Sequence, residues 1–209
     1  MNIEIWSDIV CPFCYIGKRN LESALNQLNL HDEVELTWHS FELSPGIHPD
    51  GSQTIYEFLA WKKGISLQDS MQMHAQMSET ARHAGLHYDF DNVIPANSLK
   101  AHRLLHLAAE NHLQNEMNEK LFAAYFTEGK NISDDDTLIQ LAIAVGLPGE
   151  RVNQTIGSDE FSDAIQQDIE EAGRIGIQGV PFFVFNRQYA ISGAQPPDSF
   201  VNVMKKLHQ

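Results

Sequence analysis

Apolar and polar residues change their period repeatedly along the chain. Ile3-Glu4-Ile5-Trp6-Ser7 alternates as a short strand. From Tyr15 to Leu28 the positions Ile16, Leu21, Leu25 and Leu28 form one helical stripe. Val34 to Phe41 alternates again and closes at Pro45, so the first segment reads as a βαβ unit. From about Ser52 to Gly173 helical spacing takes over, punctuated by Gly, Pro and Asn. Ile55, Phe58 and Leu59 open one helix, and Leu67 to Ala84, rich in Met, forms a second. Asn97 reads as the cap of a third through Leu99, Leu105 and Ala109, and Met117 to Phe126 is a fourth, ending near Gly129. Ser133 reads as a hydroxyl cap followed by Asp134, Asp135 and Asp136, three carboxylates at the positive end of a helix dipole. Leu138, Leu141, Ala142 and Val145 form its buried stripe, and Gly146 and Pro148 stop it. A last long helix in this block starts near Ser158 and carries Phe161, Ile165, Ile169 and Ala172. After Gly176, Pro181 to Phe185 and Tyr189 to Gly193 read as a hairpin, and Pro197 to Leu207 as a closing helix with Phe200, Val203, Met204 and Leu207 on one face. This order predicts an α/β core from residues 1–50 and 174–209, interrupted by a helical insertion at 51–173.

Composition narrows the partners. The 209 residues carry 14 Lys+Arg against 28 Asp+Glu, a formal net charge of −14, so phosphate backbones and anionic lipid surfaces are repelled. No nucleic-acid and no membrane partner is therefore expected. No apolar run reaches the ~18 residues of a membrane span, and the first residues lack a basic and apolar leader. With 2 cysteines the chain cannot be a disulfide scaffold, and a cytoplasmic location is expected.

Both cysteines lie in Cys11-Pro12-Phe13-Cys14, between the first strand and the first helix. At a helix start this spacing brings the two sulfurs within disulfide reach. Cys11 falls near the N-cap, where free N–H groups and the dipole favour a thiolate, and Pro12 takes the position whose missing N–H costs nothing. Cys11 is thus the expected nucleophile and Cys14 the resolving thiol. A zinc site completed by His102 and His106, four apart on a helix, lacks the finger-type spacing, so no metal is expected. Far downstream, Gly179-Val180-Pro181 precedes the apolar run Phe182-Phe183-Val184-Phe185; a proline at a strand start marks an edge, a turn or a cis bond.

A strand–CxxC–helix unit with a distant Gly-Val-Pro resembles the thioredoxin fold, and a helical block between its βαβ and ββα halves resembles the DsbA-like branch. The segments Ser7 to Lys18, Phe41 to Pro45, Asn97 to Leu104, Phe126 to Lys130, Gly179 to Phe185 and Ser192 to Pro196 resemble, in order, the FrnE-like or 2-hydroxychromene-2-carboxylate isomerase-like group. Phe13 stands where Trp is more usual in that group. The resemblance implies an exposed attacking Cys11, a buried Cys14 and a cis-proline at Pro181 beside them. It also implies that the Val180 backbone pairs with a bound substrate strand, with Pro12 and Phe13 adjoining it. The implied activity is thiol–disulfide exchange with protein or small-molecule thiols and disulfides, with no tightly bound cofactor and with glutathione or another thiol system recycling the pair. Isomerases and kappa-type glutathione transferases share the architecture but carry Ser at the first motif position, so they form the alternative, alongside a chaperone-like binding protein.

Other features read as structure. Phe13, Tyr15, Trp38, Phe182, Phe183 and Phe185 offer an apolar rim, although Leu36, Trp38, Phe183 and Phe185 also suit a core. Met71, Met73 and Met77 suit packing within the insertion, and His102, Arg103 and His106 suit a helix surface. Asp8 and Glu4, if close to the dithiol, disfavour a thiolate. Phe13, in place of the histidine of strongly oxidising relatives, predicts a less oxidising dithiol.

Overall fold

The computed structural model describes residues 1–49 and 51–207; Asp50, where the sequence reading ends the first core segment, and residues 208–209 lie outside the described residues. In chain order the elements are β1 (Asn2–Ser7), α1 (Pro12–Leu28), β2 (Glu35–Ser40), α2 (Ile55–Lys63), α3 (Leu67–His83), α4 (Leu99–Glu110), α5 (Gln114–Phe126), α6 (Asp135–Val145), α7 (Gly149–Ile156), α8 (Ser162–Ile175), β3 (Phe182–Phe185), β4 (Tyr189–Ser192) and α9 (Pro197–Leu207).

The period of two in β1 sends Ile3, Ile5 and Ser7 to one face of the sheet and Glu4 and Trp6 to the other. β1 runs parallel to β2, from Asn2 opposite Glu35 to Ser7 opposite Ser40. It pairs antiparallel with β3, which pairs antiparallel with β4, giving the order β2-β1-β3-β4. Pro181 lacks an N–H and stands just before β3. One face packs Ile3, Ile5, Trp38, Phe183 and Phe185 against Leu21 and Leu25 of α1 and Phe200 and Met204 of α9. On the other face Trp6 and Val184 meet Ala172 of α8 and Ile177.

The chain divides into two compact units, Met1–Leu43 with Ser162–Gln209, and Ser44–Phe161. The divisions fall at 43/44 and 161/162, where the sequence reading places them at 50/51 and 173/174. The second difference has a clear cause. α8 buries Ile165, Asp168 and Ala172 and packs against β2, so it belongs with the sheet.

The helical unit follows the sequence signals, with local shifts. Thr54 and Glu57 form a reciprocal capping box at the start of α2. The cap of α6 is Asp134, whose carboxylate accepts the Thr137 N–H at 2.8 Å. Ser133, the expected cap, instead accepts the Asn97 N–H at 2.8 Å. Ser98 occupies the N-cap of α4 without a side-chain bond; the Asn97 carboxamide accepts the Leu99 N–H at 2.9 Å from one position earlier. The long helix expected from near Ser158 is α8, which begins only at Ser162, after Phe161 takes a positive φ of 64°; α7, ahead of it, has no counterpart in the sequence reading. Met77 is buried as expected, but Met71 is 52% exposed. His102 and Arg103 are buried rather than on a surface: Arg103 reaches inward to the Ser158 carbonyl and to Asp159 at 3.0 Å.

Candidate active site

The turn between β1 and α1 is held by Asp8. Its buried carboxylate accepts the N–H groups of Leu43 at 2.7 Å and Val10 at 3.4 Å, and its carbonyl accepts the Cys11 N–H at 3.1 Å. Asp8 is therefore a scaffold of the turn, with its charge engaged by backbone donors. Glu4 is likewise engaged, by Arg187 and by His39 Nε2 at 3.4 Å. Cys11 is the N-cap of α1 in an extended conformation, and Pro12 opens the helix. The Cys14 N–H returns to the Cys11 carbonyl at 3.0 Å, which brings the two cysteines together on the first turn.

Both cysteines are free thiols, and both are buried. Cys11 is 4% exposed, against the expectation of an open attacking thiol, because its sulfur turns inward and donates to the Val180 carbonyl at 3.6 Å. The peptide bond from Val180 to the buried Pro181 is cis. The Pro181 carbonyl accepts the Gly193 N–H at 2.8 Å, tying the loop to the hairpin. Behind Cys11, burial pushes the Cys14 thiol well above its ordinary range, and the neighbouring Cys11 adds to this. The Ser7 hydroxyl and the Asp8 N–H act in the opposite direction, as donors available to a Cys14 thiolate.

Around the dithiol, Phe13 is 42% exposed, and Pro12, Val180 and Phe182 are half-buried. The other aromatic candidates for a rim belong to the interior: Tyr15, Trp38, Phe183 and Phe185 are all buried. Gly17 sets the approach of the downstream loop. A methyl group on it would sit 2.9 Å from Pro181 Cγ and 3.0 Å from Phe183 Cζ, closer than packed carbons come. Lys18 is buried and pairs with Glu22. His106 stacks against Phe161, and among the described residues no group of three or more His, Cys, Asp or Glu side chains is placed to hold a metal ion.

Sequence reasoning missed Ser7, Gly17 and Asp168. Gly17 carried a signal, since a glycine inside a helix costs about 1 kcal/mol against alanine and so marks a close approach. Ser7 gave only its position on the α1 face of β1. Asp168 gave none, being one acid among several on α8. Its carboxylate accepts the Ser40 N–H at 2.8 Å and meets His39 Nδ1 at 2.6 Å, and its carbonyl accepts the Trp6 indole N–H at 3.0 Å.

Residues 2–205 match the family model of the DSBA-like thioredoxin domain. The chain belongs to this family. Among solved structures, this DsbA-like chain is similar to the Streptomyces coelicolor protein SCO1869, described as a probable DsbA oxidoreductase: 35% identity, a TM-score of 0.92, and coverage of 99% of this chain and 89% of that one. It shares 30% identity over 204 residues with the Bacillus subtilis (strain 168) protein YwbO, described as uncharacterized, covering 96% of this chain and 94% of that one. The Pseudomonas aeruginosa cytosolic disulfide reductase DsbM, solved with GSH, has a TM-score of 0.71 at 17% identity with both chains fully covered, a likeness of fold. The fold is thus the DsbA-like thioredoxin fold, an α/β core with a helical insertion, as its sequence predicts. Among the described residues no helix is long and apolar enough to cross a membrane.

Proposed function

We propose that this DsbA-like protein is a thiol–disulfide oxidoreductase acting on disulfides of proteins or small molecules through Cys11 and Cys14. The observation that carries the reading is the Cys11 sulfur at a helix N-cap, 3.6 Å from the carbonyl preceding Pro181, with Cys14 one turn behind. A helix start favours the thiolate, and a second thiol in reach completes the exchange. The Cys11 thiolate attacks one sulfur of the substrate disulfide, and the other sulfur leaves as a thiolate. Cys14, deprotonated, then attacks Cys11, the remaining substrate sulfur leaves, and the Cys11–Cys14 disulfide forms. Two electrons pass from the dithiol to the substrate. Two molecules of glutathione, oxidised to their disulfide, return the pair to dithiol. When Cys11 turns to substrate, the Val180 carbonyl becomes free to accept an N–H of an extended peptide, with Pro181, Pro12 and Phe13 forming the apolar ground beside it. A reducing cytoplasm fits this direction of exchange, and the description of DsbM as a cytosolic disulfide reductase solved with GSH supports it.

The test is insulin-disulfide turnover with glutathione as reductant. Cys11→Ser is expected to fall to the uncatalysed rate, and Cys14→Ser to accumulate mixed disulfides on Cys11, seen as mass adducts. Turnover retained by Cys11→Ser overturns the reading, and isomerisation of an aromatic acid without net redox change would replace it.

A further inference from the structure

Ser7 is the last residue of β1, and the alternation of the strand turns it to the face where Ile3 and Ile5 meet α1. Its backbone is committed, since the Ser7 carbonyl accepts the Phe41 N–H at 3.0 Å. Its side chain is not: the hydroxyl is buried in a residue 3% exposed and makes no conventional hydrogen bond among the described residues. A buried hydroxyl without a partner is unfavourable, so its position calls for an explanation. The atom it lies beside is the Cys14 sulfur, toward which the Asp8 N–H also points.

We propose that the Ser7 hydroxyl, together with the Asp8 N–H, holds the Cys14 thiolate as it attacks the Cys11 mixed disulfide. The inference rests on the oxidoreductase reading and assigns a donor to its second step. In the dithiol the Cys14 proton leaves Ser7 little to do. When Cys14 gives its proton to water, the sulfur becomes an acceptor, and the hydroxyl rotates its hydrogen to it. The thiolate then forms a bond to Cys11 Sγ, the Cys11–substrate S–S bond breaks, and the substrate sulfur departs as a thiolate that takes a proton from water. The other charged groups nearby already have partners: Asp8 binds the N–H groups of Val10 and Leu43, Lys18 pairs with Glu22, and Glu4 meets Arg187 and His39. Cys11 remains the titratable neighbour of Cys14, and in the mixed disulfide it carries no charge. Ser7 is then the side chain able to offset the burial of the Cys14 thiolate.

The full-length protein is mixed with an aromatic disulfide whose thiolate product is coloured. The first equivalent reports attack by Cys11, and the second reports resolution by Cys14. In Ser7→Ala the second phase is expected to slow about tenfold relative to the first, as befits a lost hydrogen bond to a charged group. Its pH midpoint is expected to move up by about one unit, and Ser7→Thr to restore both. A second measurement guards against misfolding: in a Cys11→Ala background, thiolate absorbance of Cys14 should titrate higher with Ser7→Ala than with Ser7. An unchanged phase ratio and an unchanged midpoint overturn the role of Ser7 and leave the oxidoreductase reading standing. Failure of the parent protein to release the second equivalent overturns both.

Discussion

Between the two thiols stands Phe13, an exposed apolar ring where a histidine would place a charge beside the Cys11 thiolate. Asp8 and Glu4 are engaged elsewhere, by the Leu43 N–H and by Arg187. A protonated imidazole at position 13 stabilises the reduced, thiolate form and so makes the disulfide a stronger oxidant. Phe13→His is expected to raise the potential by about 30 mV or more, a tenfold change in the exchange constant. Equilibration of the purified protein against glutathione and its disulfide measures it. A fall in potential, or none, would show that the charge at this position does not reach Cys11.

At the level of elements, the contact between α8 and β2 hangs on one buried carboxylate. Asp168 satisfies the Ser40 N–H and fixes His39, which stacks on Trp6 with ring centroids 4.4 Å apart. Asp168→Ala leaves a buried N–H without its acceptor and is expected to cost about 3 kcal/mol. Asp168→Asn, which keeps an oxygen for Ser40, should cost less. Urea denaturation checks both, and a loss below about 0.5 kcal/mol for the alanine variant would make the contact incidental. This element also marks where sequence reasoning stops. β1, α1, β2 and the final hairpin were legible because their periods and the proline before β3 act locally. The Cys-Pro-Phe-Cys motif was legible for the same reason. The bond from Asp168 to Ser40 joins distant parts of the chain, and no local pattern announces which acid of α8 will turn inward. α7 escaped because only Val152, Thr155 and Ile156 are buried on its 8 residues, too few to show a stripe.

For the whole molecule, acid is the direction of lost stability. Ion pairs with Arg187, Arg151 and the lysines near Glu128 hold the Glu171, Glu160 and Glu128 carboxyls below their ordinary range. Their contribution is present above the unfolded carboxylate value and is lost as pH falls through the depressed folded ones. His74, packed edge-on against Tyr56 and Phe90, is held below its ordinary value by burial. The unfolded chain therefore binds its proton first, so this contribution is complete above the ordinary histidine range and declines below it. Urea midpoints are expected to fall from pH 8 to 6 and further to 4, and His74→Gln to flatten the change between about pH 7 and 5. An equal slope in that variant would remove His74 from the account.

The close approach at Gly17 has a consequence for how such sites are recognised. The gap between α1 and the loop is gauged by a hydrogen where other residues carry carbon, so a larger residue at position 17 would push Pro181 and Phe183 away. A family signature built on the two cysteines alone omits this spacer. Cys-x-x-Cys-x-x-Gly, paired with the downstream Pro, encodes both the reagents and the width of the slot between them.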